Sequence, residues 1–198
     1  MLSEEKIFEK ALQFVLKHEG KYSSDPWGGR TIYGITEKYY PDTFKKVYGF
    51  YNELCELKQK NASDDVIKDV ESKMMEEIKK FYKSYFWENN NCHRLFYPLN
   101  MVFFDTAVNL GPYGAGRLLQ KALNMLGGDL KVDGIVGEKT MGCLNKLIET
   151  PRIRDILCFL FIFLRVDYYI NNSHREYWRG YWNRCFDLVK MLVSEITQ

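Results

Sequence analysis

The chain has 198 residues, enough for one well-buried domain or two small ones, and its 46% apolar and 27% charged residues exclude a disordered polypeptide. A net charge of +2 is too small to select nucleic acid as a partner, although a faintly basic surface suits an acidic polymer. The five cysteines, at 55, 92, 143, 158 and 185, are odd in number and lack a close repeated spacing, so neither a disulfide framework nor a zinc site is expected. They read as reduced thiols, with Cys92-His93 a structural pair, and no metal or cofactor is called for.

In chain order, Ile7, Phe8, Ala11, Leu12, Val15 and Leu16 recur at helical spacing, with Ser3 as the cap and Glu4 and Glu5 in the positive first turn. This helix delivers His18-Glu19-Gly20-Lys21-Tyr22 to its exit, because Pro26 and the glycines at 20, 28 and 29 cannot continue it. A glutamate at the last turn of an apolar helix can be desolvated by it, which suits a general acid. The plain alternative is a solvated charge at a helix end, which the dipole slightly disfavours. A small hairpin over Tyr22 to Ile35 would put Glu19 and Thr36 on its two sides. Asp42 to Lys60 and Asp64 to Tyr85 are expected as an antiparallel helix pair, with Ser63 capping the second. Helices over Pro98 to Val108, Tyr113 to Leu126, Glu138 to Ile148, Pro151 to Ile170 and Glu176 to Ile196 follow, with a turn at Asp133-Gly134 and a helix start at Gly137. The fold class is mainly α.

Several blocks carry a family likeness. Phe14 to Thr36, FVLKHEGKYSSDPWGGRTIYGIT, resembles the opening of glycoside hydrolase family 108, whose members show a His-Glu-Gly-Gly-Tyr run, two Asp-Pro steps before paired glycines, and a Gly-Ile-Thr. The likeness continues in Tyr85-Phe86-Trp87, in Phe104 to Pro112, in Leu118 to Leu123 and in Val132 to Thr140. The last two blocks resemble the segment known in such proteins as a predicted peptidoglycan-binding domain. The resemblance implies a lysozyme-like helical fold with a small hairpin beside the active-site loop, and an N-acetylmuramidase activity. It also implies a division into residues 1–95, the catalytic part, and 96–198, the binding-like part, packed as one continuous domain.

Carried over by position, the resemblance makes Glu19 the general acid and gives Thr36 the holding of the attacking water. Asp25 is the candidate second carboxylate. It either activates water or stabilises developing positive charge, and a turn role before Pro26 is an equal alternative. Here the chain departs from the family: it has one Asp-Pro, a loop about two residues shorter, Trp27 in that loop, and Lys21 where a second glycine is usual. Tyr22, Trp27, Tyr33 and Trp87 supply flat faces for a hexose. Asn109 is placed to bond an acetamido group, or else to cap a helix before Gly111 and Pro112.

The expected partner is the glycan strand of peptidoglycan. Met1 to Lys10 lacks the apolar run of a cleavable secretion signal, so synthesis in the cytoplasm is expected, with a holin-like or export partner giving access to the wall. This picture resembles phage-derived muramidases and proteins known as secretion activators. Ile156 to Leu164 is apolar but shorter than the roughly 20 residues that cross a bilayer, so stable membrane insertion is not expected. A monomer is expected. Two alternatives stand beside the active muramidase: a wall-binding protein without turnover, and a secretion-accessory helical protein in which the His-Glu-Gly run only stops a helix.

Overall fold

The computed structural model describes residues 2–25 and 29–196; Pro26, Trp27 and Gly28 lie outside the described residues, as does the side chain of Asp25. The chain is mainly α, with a small antiparallel sheet following the first helix. Its contacts divide it into two compact units, Leu12–Tyr85 and a second made of the first eleven residues with 86–198. The motif blocks divide near 95, ten residues later than the packing does, because Phe86 and Trp87 belong to the core of the second unit.

Helix α1 spans Glu4–Glu19, opening with Glu4 and Glu5 in its first turn, and the Lys6 amide reaches the Ser3 hydroxyl at 3.4 Å. It stops at Glu19 because Gly20 takes φ +70°, the left-handed conformation that ends helices and that glycine adopts without a Cβ penalty. Strands β1 (Tyr22–Asp25), β2 (Gly29–Ile32) and β3 (Ile35–Thr36) then pair in order. One hairpin was expected; the sheet has three strands because Tyr33-Gly34, at φ 47° and 77°, forms a second, two-residue turn. Positive φ at both central positions is the turn whose twist matches antiparallel strands.

Helices α2 (Pro41–Gln59) and α3 (Asp64–Tyr82) form the antiparallel pair, bridged by Lys58 to Glu71 at 3.2 Å and Lys46 to Glu77 at 3.8 Å. Ser63 precedes α3 but makes no side-chain cap; its carbonyl accepts the Ile67 amide instead. The α-helix ends at Tyr82, three residues short of expectation, and passes into a π-helical turn over Lys83–Glu88 that sends Phe86 and Trp87 into buried positions.

In the other unit, the two helices expected there follow one another directly as the two halves of α4 (Leu99–Met125). Gly111, at φ 76° and ψ 157°, breaks it just before Pro112. The remaining helices are α5 (Glu138–Leu147), α6 (Pro151–Asn172) and α7 (Trp178–Ile196). Phe8, Trp87 and Phe104 form an edge-to-face core cluster with centroids 5.4 to 5.9 Å apart. No helix among the described residues is long and apolar enough to cross a membrane.

Candidate active site

The sheet has two chemically different faces. Cross-strand partners Ile32 and Ile35 are fully buried, and Tyr22, opposite Ile32, shares their face. Burying each isoleucine contributes about 1.5–3 kcal/mol, which fixes the register. The other face carries Ser23, Thr31 and Thr36, each the partner of the next across the three strands. The Thr31 hydroxyl bonds that of Thr36 at 3.4 Å, so the sheet presents a row of hydroxyls.

Glu19 meets this sheet at its tightest turn. A Cβ built on Gly34 would lie 2.9 Å from Glu19 Oε2, 2.9 Å from Glu19 Cγ and 2.5 Å from the Tyr82 hydroxyl. The carboxylate and the phenol therefore occupy the space that any side chain at position 34 would need. Tyr82, 1% exposed near the end of α3, donates its hydroxyl to the Tyr33 carbonyl at 2.8 Å, and the Tyr33 amide donates to the Lys21 carbonyl at 2.8 Å. These two bonds tie the turn to α3 and to the segment leaving α1. Glu19 is half-buried among them. Lys21 is exposed and is absent from the described residues with positive φ, so the lysine costs no backbone strain where a second glycine is usual.

The expected site residues are thus distributed unevenly. Glu19 is beside the turn that leads into β3, and Thr36 follows Gly34 by two residues, a chain reach of at most about 7 Å. Asp25 closes β1 opposite Gly29. Tyr22 is on the face opposite Thr36, its ring stacked on Tyr51 at 5.2 Å and Tyr48 at 5.9 Å. On the same face the Arg30 guanidinium lies 4.7 Å from the Tyr48 ring centre and pairs with Glu37. The Tyr33 phenol is half-buried; burial first, then Glu71, raise its pKa against Lys58.

Trp87 corrects an expectation. It is 0% exposed, packed against Phe8 and Phe104, with its indole N–H directed to Glu4 at 3.4 Å. No face is left for a sugar, because the π-helical turn points it into the core.

Asn109 ends a buried polar chain in the second unit. Asp105 is 1% exposed and accepts from Arg165 Nη1 at 2.5 Å and from Arg184 Nε at 2.9 Å; Arg165 Nε also donates to the Tyr169 hydroxyl at 2.7 Å, which in turn donates to Asn109 Oδ1. Burial pushes the Asp105 carboxyl up, but Arg184 and Arg165 outweigh it and hold the pKa below the ordinary carboxylate value.

The blocks from Leu118 and Val132 are mostly occupied with one another. Gln120 Nε2 donates to Asp133 Oδ1 at 2.8 Å and Gln120 Oε1 accepts the Gly134 amide at 2.7 Å. A Cβ at Gly116 would lie 2.0 Å from the Gly134 carbonyl, so α4 and this loop touch through glycine.

Tyr82 and Thr31 were missed in the sequence. Thr31 had a signal, since Thr31-Ile32-Tyr33-Gly34-Ile35-Thr36 is symmetric about its turn and puts the threonines opposite each other. Tyr82 had none, being 49 residues from the carbonyl it holds.

Residues 12–111 match the family described as Glycosyl hydrolase 108. A solved structure of Brucella abortus SagA is similar over 96% of this chain and 95% of that one, with a TM-score of 0.60 and 21% identity, a likeness of fold. No curated protein matches the chain. The family match covers the second half of α1, the sheet, both long helices after it and the Asp105 block, and the chain belongs to the glycosyl hydrolase 108 family, a family of glycoside hydrolases acting on peptidoglycan.

Proposed function

We propose that this glycoside hydrolase is an N-acetylmuramidase that cleaves the β-1,4 bond between N-acetylmuramic acid and N-acetylglucosamine, with Glu19 as general acid. The observation that carries this reading is the seat of the Glu19 carboxylate against Gly34, beside the Tyr82 hydroxyl and next in sequence to the strand bearing Thr36. Glycoside cleavage needs a proton for the leaving oxygen and either an activated water or a nucleophile on the opposite face of the sugar. Glu19 supplies the proton. Thr36, its hydroxyl already oriented by Thr31, holds the water. Asp25 is the second carboxylate, and the Asn109 amide donates to an acetamido carbonyl. Fixing the acid to a turn clamped at both ends preserves its position as the substrate distorts, which is where most of the rate advantage of a preorganised site arises.

The acid and the bond are tested together by digesting purified peptidoglycan with wild type and Glu19→Gln, and sequencing the released fragments by mass spectrometry. Wild type should release fragments ending in reducing N-acetylmuramic acid, and the variant should be slower by at least about a thousand-fold. Fragments ending in reducing N-acetylglucosamine would replace the assignment of the bond. Retention on the wall without release by either protein would favour a binding role instead.

A further inference from the structure

A recess of about 590 Å³ lies at one end of the α2–α3 pair, between the start of α2 and the end of α3. Its aromatic walls are Tyr39, which is 67% exposed, and Tyr85, which is 43% exposed. Tyr85 is held in place: Phe81 stacks on it at 5.6 Å, and Tyr40 meets it edge-on at 5.0 Å. Tyr39 has the Lys38 ammonium 5.4 Å from its ring centre. An exposed aromatic held as Tyr85 is keeps a flat apolar surface in water at little further entropy cost on binding.

The charged groups around the recess compensate one another. Lys80 contacts Glu76 at 2.9 Å and Glu77 at 3.1 Å, and Lys46 lies 3.8 Å from Glu77. A phosphate, a nucleic acid or a strongly acidic peptide would meet no surplus of positive charge there. What remains is aromatic surface bordered by hydrogen-bonding groups, among them Thr43 and Asp42. That combination matches a neutral pyranose, which has an apolar face and a polar edge.

The recess also has a fixed relation to the hairpin. Tyr39 and Tyr40 both donate their backbone amides to the Thr36 carbonyl, at 3.2 and 2.9 Å, so its aromatic rim begins one turn beyond the residue proposed to hold water. We infer that this recess is an outlying subsite for a neutral N-acetylated sugar of the same strand whose bond is presented to Glu19. This inference rests on the proposed glycan-cleaving function.

The test uses uncrosslinked glycan strands graded by length, with kcat/KM measured for wild type, Tyr39→Ala and Tyr85→Ala. Tyr39 is a surface residue, so its variant keeps the fold even if loss of Tyr85 disturbs Phe81 and Tyr40. Each variant should lose roughly ten-fold in kcat/KM on long strands, through KM, and nothing on the shortest strand that is cut. An equal loss at every length, or no loss from Tyr39→Ala at any length, overturns the subsite. Should wild type cut nothing, the cleaving function fails on its own, and titration with the N-acetylglucosamine tetramer followed by NMR still decides the subsite. Shifts at Tyr39 and Tyr85 that vanish in Tyr39→Ala support it, and the lack of any shift there overturns it.

Discussion

The hairpin region around Glu19 and the helical region around Asp105 both lie in blocks shared with the family, but they are held by opposite means. Around Glu19, the geometry is set mostly within about twenty residues of chain, by two glycines in left-handed conformations, a two-residue turn and one cross-strand isoleucine pair, to which α3 adds the Tyr82 hydroxyl from 49 residues away. Around Asp105, the support is remote: the carboxylate is held by arginines 60 and 79 residues away, on α6 and α7. The first arrangement leaves a carboxylate half-buried near the Tyr82 hydroxyl, and the second buries its charges almost completely. A shared motif block is therefore held mainly by its own neighbours in one region and by distant helices in the other.

Removing the Asp105 charge should produce the largest effect. Asp105→Asn leaves two buried guanidinium groups facing each other, and such loss of one buried partner costs about 3–5 kcal/mol, read as a fall in the denaturant midpoint. The same comparison has a pH arm. Because the folded-state pKa of Asp105 is below the ordinary aspartate value of 3.8, its stabilisation is complete above that value and is lost as pH falls through the lower folded one. Wild type should therefore lose stability in strong acid over a window that is missing from Asp105→Asn. An Asp105→Asn protein as stable as wild type would end the distinction between the two regions.

A smaller effect is expected from Gly34→Ala. The new methyl meets Tyr82 at 2.5 Å and Glu19 at 2.9 Å, at a φ of +77° that alanine rarely takes. The strain amounts to about 1–3 kcal/mol. Turnover should suffer more than stability, by about a hundred-fold, since the acid must move. Wild-type kcat in a folded Gly34→Ala protein would show that the seat of Glu19 is irrelevant to catalysis. The smallest change is Tyr82→Phe, which removes only the donor to the Tyr33 carbonyl. It should cost about 1 kcal/mol of stability and up to about ten-fold in kcat with KM kept. If KM rises instead while kcat holds, Tyr82 serves substrate binding rather than the acid's position.

Trp87 and Asn109 show why the surroundings of some side chains could be read in the sequence and those of others could not. An aromatic in a motif block can serve a sugar or a core with the same local sequence around it, and only the π-helical turn after α3 sent Trp87 inward. Asn109 was legible as a polar group before a glycine break, but its partner Tyr169 is 60 residues distant. By contrast Gly111-Pro112 was legible as a stop, and Gly111, at φ 76° and ψ 157°, does interrupt the helix there.

By itself the sequence determined what depends on neighbours in the chain. The end of α1 at Gly20, the hairpin after it, the α2–α3 pair and the helix starting at Glu138 follow from backbone preferences and apolar periodicity, which act over a few residues. Tertiary structure alone decided that Tyr82 clamps the turn beside Glu19, that Gly34 must stay bare, that Trp87 is core, and that Asp105 balances two arginines. Those outcomes depend on which distant side chains fill the same small volume, and close packing settles that only when the whole chain is in place.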